Sequence, residues 1–169
     1  MRSLQIEILR TERSDEYLRK YSPADAPTIF SLINANREHL SLNGDDTARK
    51  YPTLDAVLAS IVKPVNPHKL RMGIWVVQTL VGGINLTPID EETAEIGYWL
   101  GAEHERKGYM TCAVRALTQH AIEVGFTEVC GKVKSTNERS ISVLERAGYE
   151  ERNANGFLDK ERVFWFEEV

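Results

Sequence analysis

A polar turn that leads into a strongly periodic helix carries the first chemical signal of this sequence. The turn contains Arg106, Lys107 and Gly108, and apolar residues recur at helical spacing from Met110 to Val124. The first turn of a helix presents backbone N–H groups without intrahelical partners and the positive end of the macrodipole. Such a helix start binds phosphate or pyrophosphate, and a glycine lets the anion approach the backbone. The residues therefore predict an anion site, with a tight turn carrying solvated basic side chains as the alternative.

The sequence lacks the motifs of several other enzyme classes. It contains no G-x-S-x-G elbow, no Walker A loop and no G-x-G-x-x-G before a helix, so hydrolase, kinase and dehydrogenase activities lose their usual support. The four histidines form neither H-E-x-x-H nor a cluster with zinc spacing, and no metal site is predicted. Cys112 and Cys130 lie far apart without a C-x-x-C pattern, and both are predicted to be small core residues.

Hydrophobic periodicity places the turn in a mixed chain of strands and helices. Predicted strands cover residues 16–21, 71–78, 80–86, 94–100, 128–134, 149–153 and 162–167. Predicted helices cover residues 23–36, with Ser22 as the N-cap, and residues 53–62, 108–124 and 136–147. Gly82 and Gly83 predict a bulge or a bend in their strand. The spacing of Ser135 and Glu138 predicts a capping box at the last helix. Residues 1–15 are expected to form an irregular or short-strand extension.

Length and composition are those of one globular domain. The chain has 169 residues, 42% of them hydrophobic and 27% charged, which predicts a single domain over residues 1–169. A formal net charge of −4 argues against binding nucleic acid through bulk positive charge. The N-terminus lacks the apolar core of a signal peptide, and the longest charge-free stretch, residues 72–89, contains glycines and a proline. We therefore expect a cytoplasmic protein with no membrane partner.

Segments in a consistent order resemble the GNAT superfamily of acyl-CoA-dependent N-acyltransferases. They are residues 94–113, 137–140 and 145–149, while residues 36–40 are similar to the N-R-x-x-L segment of the RimJ/RimL-type branch, which includes N-terminal acetyltransferases of ribosomal proteins. The order of elements matches over residues 16–167. The resemblance implies a mixed α/β (α+β) fold with about four helices. Its central sheet is mostly antiparallel and splits into a V between two parallel strands.

The resemblance implies acetyl-CoA as the co-substrate and no metal. Where the family has Gln/Arg-x-x-Gly-x-Gly/Ala for the pyrophosphate, this chain has residues 105–110, so that Gly108 matches while Glu105 and Met110 depart from the pattern. The end of the preceding strand would hold the pantetheine arm. The implied cofactor-binding residues are Trp99, Leu100, Glu105, Arg106, Lys107, Gly108, Tyr109, Met110, Thr111, Asn137 and Ser140.

The resemblance also implies direct attack of a primary amine, without an acyl-enzyme. Glu95, on the strand that borders the V, is the implied base that takes the amine proton through water, with Glu161 as a weaker candidate. A solvent-facing strand glutamate is the structural alternative. Ser140 is the implied proton donor near the sulfur, and Leu144 stands where many members have a tyrosine acid. Helix capping is the alternative role for Asn137 and Ser140.

The aromatic residues have two interpretations. Trp75, Tyr98 and Trp99 either line the acceptor cleft or belong to the core, and Tyr149 is predicted to be a core residue. The acceptor itself stays open between a protein α-amino group and a small amine, because side chains of this fold vary without a readable code.

Two function classes remain at this point. The first is an active N-acetyltransferase. The second is a catalytically weak or inactive CoA-binding relative that serves as a sensor or interaction module. The departures at Glu105, Met110 and Leu144 favour the second, and the residues that favour the first are Glu95, Gly108, Asn137 and Ser140. Relatives include monomers and dimers, so the resemblance leaves a homodimer open.

Overall fold

The computed structural model describes residues 2–152 and 161–168. Its strands are β1 (Ile8–Arg10), β2 (Glu16–Lys20), β3 (Leu70–Val76), β4 (Thr79–Pro88), β5 (Thr93–Leu100), β6 (Glu128–Lys134), β7 (Glu150–Glu151) and β8 (Glu161–Glu167). Its helices are α1 (Ala26–Ala35), α2 (Thr47–Lys50), α3 (Leu54–Val62), α4 (Tyr109–Glu123) and α5 (Glu138–Arg146), with 3₁₀ helices at Pro23–Asp25, His39–Gly44 and Ala102–His104.

The described strands form one sheet in the order β1-β2-β3-β4-β5-β6-β8-β7. Among its pairs, β5 and β6 run parallel, with Thr93 beside Glu128 and Ile96 beside Gly131. Beyond this point β5 continues to Leu100 and β6 to Lys134 without pairing to each other. The predicted V between two parallel strands is confirmed. Because the strands diverge here, their backbones are exposed to the space between them.

Helices cover both faces of the sheet. Residues of α4 and α5, such as Leu117 and Leu144, pack with Ile96 in the larger core. Residues of α1 and α3 pack on the opposite face, where Trp99 of β5 lies against them. Successive side chains of a strand point to opposite faces, so Glu95 shares the face of Trp99. The alternation along β5 therefore directs Glu95 away from α4.

Several local predictions are confirmed. The register between β3 and β4 shifts at Val81, which lies beside Gly82 and has no partner of its own in the ladder, so the predicted bulge is present. Asp25 accepts a hydrogen bond from the Ser22 amide at 2.8 Å at the predicted helix start. Gly125 has a φ of +102° directly after α4 and its C-cap residue. A glycine there satisfies the left-handed turn that often follows a helix.

The structure also corrects some expectations. Asn137, and not Ser135, is the N-cap of α5, because its side-chain oxygen accepts the Ser140 amide hydrogen. The N-terminal extension is not an exception to its prediction, because it forms a short strand, one of the two predicted alternatives, and Leu9 of β1 pairs with Leu18. The sequence pattern missed α2 and the 3₁₀ helix at His39–Gly44. Of the last predicted strands, residue 153 lies outside the described residues.

Candidate active site

The loop before α4 has the backbone conformation that the anion-site prediction requires. Arg106 has a φ of +60° and Gly108 a φ of +81°, so the chain turns twice through the left-handed region before Tyr109 begins α4. A Cβ atom added to Gly108 would meet no other atom within 4 Å. The α4 start is therefore open to a ligand at its exposed N–H groups. This open, backbone-lined helix start fits a pyrophosphate.

Glu105, which departs from the family pattern, has a histidine and an arginine as neighbours. Its carboxylate lies 3.0 Å from His39 Nε2 and 2.5 Å from Arg139 Nη1. His39 belongs to the 3₁₀ helix after α1, and Arg139 to the first turn of α5. The acid is thus directed to the Arg139 guanidinium and the His39 ring, and it joins the segment after α1 and the start of α5 to the loop. A charge held in this way repels a bound pyrophosphate less than an unpaired one would.

A cavity of about 850 Å³ occupies the space where β5 and β6 diverge. Of the implied cofactor-binding residues, it is lined by Trp99, Leu100, Glu105, Arg106, Gly108, Tyr109, Met110, Thr111, Asn137 and Ser140. Lys107 does not line it. The carbonyl oxygen of Lys107 accepts a hydrogen bond from Arg13 Nη1 at 3.4 Å instead.

Glu95 lines the same cavity from the last part of β5 that still pairs with β6, where it lies beside Cys130. Its side chain is one-third exposed, and its carboxylate lies 2.7 Å from Lys132 Nζ on β6. The hydrogen bond to Glu95 raises the pKa of Lys132. Glu161, at the start of β8, lines the cavity as well. Both candidate bases therefore line the same cavity as the Gly108 loop.

Asn137 and Ser140 have structural roles in addition to lining the cavity. Asn137 Oδ1 accepts the Ser140 amide hydrogen at 3.2 Å, which is the capping interaction. Tyr98 Oη donates to the Ser140 carbonyl at 3.0 Å. These two bonds fix the Ser140 backbone at the cavity edge. Leu144 is fully buried, so its position supplies packing.

The aromatic residues divide between core and cleft. Tyr149 is buried and its hydroxyl lies 2.6 Å from Thr118 Oγ1, which confirms the core prediction. Trp75 is 8% exposed and packs in the core on the α1 face, whereas Tyr98 and Trp99 line the cavity. Burial raises the pKa of Tyr98, which keeps its hydroxyl protonated.

The two cysteines are buried, as predicted. Burial is the main cause that raises the pKa of Cys130 to about 11 and that of Cys112 to about 12. Thiols in this state are poor nucleophiles at neutral pH. Among the described residues, no group of three or more His, Cys, Asp or Glu side chains is arranged to hold a metal ion. No helix in this part of the chain is long and apolar enough to cross a membrane.

The N-R-x-x-L segment builds the wall opposite β5. Asn36 Oδ1 accepts the Ala102 amide hydrogen at 2.9 Å and so ties the end of α1 to the loop. Arg37 donates to the carbonyl oxygens of Ala48 and Tyr51, each at 3.0 Å. Leu40 is fully buried. The segment therefore positions the cavity wall through its side chains.

Sequence reasoning missed the basic residues of this sheet face. Three basic residues line the cavity: Lys69, which directly precedes β3, Arg71 on β3 and Lys132 on β6. No short motif contains them, because they are far apart in the sequence. For Arg71 the alternation of β3 is a local signal, since Leu70 and Met72 are core residues and Arg71 lies between them.

Comparison with known proteins agrees with this geometry. Residues 17–150 match the family model of the acetyltransferase (GNAT) domain. A Bacillus subtilis (strain 168) protein named "Putative ribosomal N-acetyltransferase YdaF" is 30% identical over 142 residues, which cover 78% of this chain and 76% of that protein.

Solved structures share the fold at lower identity. RimL, a ribosomal L7/L12 α-N-protein acetyltransferase solved with coenzyme A, has a TM-score of 0.85 at 19% identity, covering 95% of this chain and 98% of RimL. Mycobacterium smegmatis RimJ, in complex with a CoA disulfide, has a TM-score of 0.80 at 16% identity, covering 99% and 90%. The chain belongs to the GNAT acetyltransferase family, whose members transfer the acetyl group of acetyl-CoA to an amine.

Proposed function

We propose that this enzyme acetylates the α-amino group of a protein, with Glu95 as the general base. The observation that carries the proposal is the shared cavity, which the Gly108 loop and the Glu95 carboxylate both line. The name of the Bacillus subtilis relative and the ribosomal L7/L12 acceptor of RimL support a ribosomal protein as the acceptor. A small primary amine is the other acceptor class.

The chain's own residues suffice to hold the co-substrate. The α4 N-terminus and the left-handed turn at Gly108 offer N–H groups to the pyrophosphate, with Arg106 beside them. The end of β5 at Trp99 and Leu100 pairs with β4 but has no pairing to β6, so on that side it would offer backbone hydrogen bonds to the pantetheine arm, and an N–H group there would polarise the thioester carbonyl. When bound, acetyl-CoA supplies an acetyl group activated as a thioester.

Glu95 would remove the proton that the amine must lose. A carboxylate in a partly buried cleft accepts such a proton directly or through one water molecule. Its ion pair with Lys132 holds the carboxylate at the edge of the cavity. Because the ammonium group of Lys132 lies at Glu95 Oε2, an incoming amine would share the carboxylate with it.

Ser140 is the proposed proton donor to the departing thiolate. The cap bond from its amide and the Tyr98 bond to its carbonyl fix the backbone that carries the hydroxyl. Leu144 provides no acidic group at the position where other members carry a phenol. Ser140 is therefore the proposed acid of this site.

The remaining expectations concern the setting of the reaction. We propose a cytoplasmic enzyme whose partners are acetyl-CoA and an amine acceptor, with neither nucleic acid nor membrane among them. Because the residues of one chain line the cavity, the proposal holds for a monomer and for a homodimer.

The first experiment measures acetyl-CoA binding by calorimetry, with desulfo-CoA and NADH as controls. We expect micromolar binding, followed by thiol release when peptides with free N-termini are added. Binding without thiol release from any peptide or small amine would instead support the weak or inactive relative. If millimolar acetyl-CoA does not bind, the departures at Glu105 and Met110 disable the loop and the enzyme proposal fails.

A further inference from the structure

The strand register places Lys69 and Glu95 in one cross-strand row, on the same face of the sheet. Leu70 pairs with Leu86, and Thr87 pairs with Glu95. Extended by one residue, this register places Lys69 beside Thr87, two strands from Glu95. Adjacent strands lie about 4.8 Å apart, so the two Cα atoms are separated by roughly 10 Å. Residues in one row share a face, and both Lys69 and Glu95 line the cavity.

Lys69 is a partly buried cation without a counter-ion in the described chain. Burial lowers the pKa of Lys69, and the nearby charges of Lys50 and Arg71 lower it further. No carboxylate of residues 2–152 and 161–168 forms an ion pair with it. The two carboxylates that act on it, Asp46 and Glu95, lie 2.9 Å from Lys50 and 2.7 Å from Lys132 respectively. The acids near Lys69 are therefore already paired.

Arg71, two residues along the same face, has neutral partners. Its guanidinium donates to the Ser60 carbonyl at 2.9 Å and to Tyr51 Oη at 2.8 Å, and it lies over the Tyr21 ring at 5.6 Å. These bonds fix Arg71 in the wall without neutralising it. Two neighbouring positive charges on this face thus lack a partner of opposite charge among the described residues.

Removing a charge from water without a counter-ion costs free energy. This cost falls when an anion enters the cavity beside Lys69. The geometry points to an acceptor that carries a carboxylate close to its amine, with the amine at Glu95 and the carboxylate at Lys69. This inference rests on the proposed function and makes Lys69 a specificity-determining residue.

Two sources of this chemistry fit the spacing. One is a protein N-terminus with an acidic residue at its first or second position, because two extended residues span about 7 Å. The other is a small amino acid. They share an amine joined to a carboxylate, and the test below has one arm for each.

The test compares binding of acid and amide twins to the free protein and to the CoA-saturated protein by calorimetry. The peptide arm uses Ser-Asp-Ala-Ala and Ser-Asn-Ala-Ala, both amidated at the C-terminus. The small-molecule arm uses β-alanine and β-alaninamide. We expect the acid to bind about tenfold more tightly than its amide in at least one arm, as for a charge-assisted hydrogen bond. The arm that responds identifies the source.

Three variants assign that preference to Lys69. Lys69→Met should abolish it, Lys69→Arg should retain most of it, and Lys63→Met, which removes an exposed lysine outside the cavity, should leave it unchanged. Equal binding of acid and amide, binding of neither twin, or a preference that survives in Lys69→Met would overturn the inference. Acetyl-CoA affinity is measured on the same samples. Failure of the wild-type protein to bind acetyl-CoA overturns the proposed function alone, because the free-protein titration still reports on Lys69.

Discussion

The loop before α4 and the sheet face that carries Glu95 line one cavity, but they are built from different groups. The loop relies on backbone, through left-handed turns at Arg106 and Gly108 and a helix start. The sheet face relies on side chains, among them the Glu95–Lys132 pair and the unpaired Lys69. Backbone donors persist when side chains change, whereas each side chain of an ion pair depends on its partner.

This difference explains how the loop accommodates its departures from the family pattern. Glu105 contacts His39 and Arg139. Met110, in the first turn of α4, is 5% exposed and packs in the larger core. Neither substitution removes an N–H group from the helix start. On the sheet face, by contrast, a single substitution changes the charge that an acceptor meets.

The largest effect is expected from Glu95→Gln. Loss of a general base costs on the order of 100-fold in kcat or more, while the dissociation constant of acetyl-CoA should stay within about twofold, since the loop that binds it is unchanged. Steady-state kinetics and calorimetry measure the two values. Glu161→Gln is the matched control, because Glu161 lines the same cavity. If Glu161→Gln lowered kcat and Glu95→Gln did not, the roles of the two residues would be reversed.

Gly108→Ala should act on the other side of the comparison. A methyl group at this position meets no protein atom and stands at the open helix start, so acetyl-CoA affinity should fall about 10- to 100-fold through lost charge-assisted hydrogen bonds. Gly148→Ala is the matched control. Its φ is +93°, its added Cβ meets Phe166 at 3.5 Å, and it does not line the cavity.

In both alanine variants the free energy of unfolding should fall by about 1 kcal/mol, because both glycines have positive φ. Only Gly108→Ala should weaken acetyl-CoA binding. Equal affinity of the two variants would contradict a backbone-mediated site at this loop.

Glu16, a buried acid on β2, should make the stability of the fold depend on pH. Glu16 of β2 is fully buried, and its carboxylate oxygens have no hydrogen-bond partner among the described residues. Burial raises the pKa of Glu16 from 4.5 to about 7, partly opposed by Arg13, whose Nε lies 3.9 Å away. The folded state therefore retains a proton that the unfolded chain loses above pH 4.5. Between pH 4.5 and 7 stability falls as pH rises, and above pH 7 this contribution no longer changes.

Glu16→Gln removes the titrating group and should remove this loss. Relative to wild type, the free energy of unfolding of the variant should rise by about 2 kcal/mol between pH 5 and pH 8. Denaturant titrations at both pH values measure the change. Glu12→Gln, in the exposed N-terminal segment, should shift it far less. A constant difference between Glu16→Gln and wild type would mean that Glu16 does not titrate in this range.

The smallest effect is expected from Glu105→Gln. Since the proposed pyrophosphate contacts come from backbone groups, acetyl-CoA affinity should stay within about threefold of wild type. Arg139→Gln removes the other partner of the pair and serves as the comparison. A tenfold change for Glu105→Gln in either direction would show that this side chain takes part in cofactor binding.

The sequence predicted those parts of the site that depend on neighbouring residues. The glycine before the periodic segment, the start of α4 and the strand before it were all readable, because turn and helix preferences act over a few residues. The prediction of Ser135 as the N-cap of the last helix was wrong, because local preferences could not choose between two suitable residues. Ser135 and Asn137 are both good caps, and only the path of the chain after β6 decides that Asn137 occupies the position.

The resemblance extended that prediction to the V and to the residues around it. It could not predict how Glu105 is paired, since His39 lies 66 residues away in the chain and the contact depends on the packing of the segment after α1. The lack of an ion pair at Lys69 could not be predicted either, because it depends on which carboxylates the fold brings near it.

By itself, the sequence determined a left-handed glycine turn ahead of a long helix, the alternation that turns Glu95 away from α4, and the family to which the chain belongs. The tertiary structure alone decided which charges of the cleft are paired and which are left for a ligand. Backbone conformation responds to adjacent residues, whereas an ion pair requires strands and helices that are remote in sequence to come within a few ångströms.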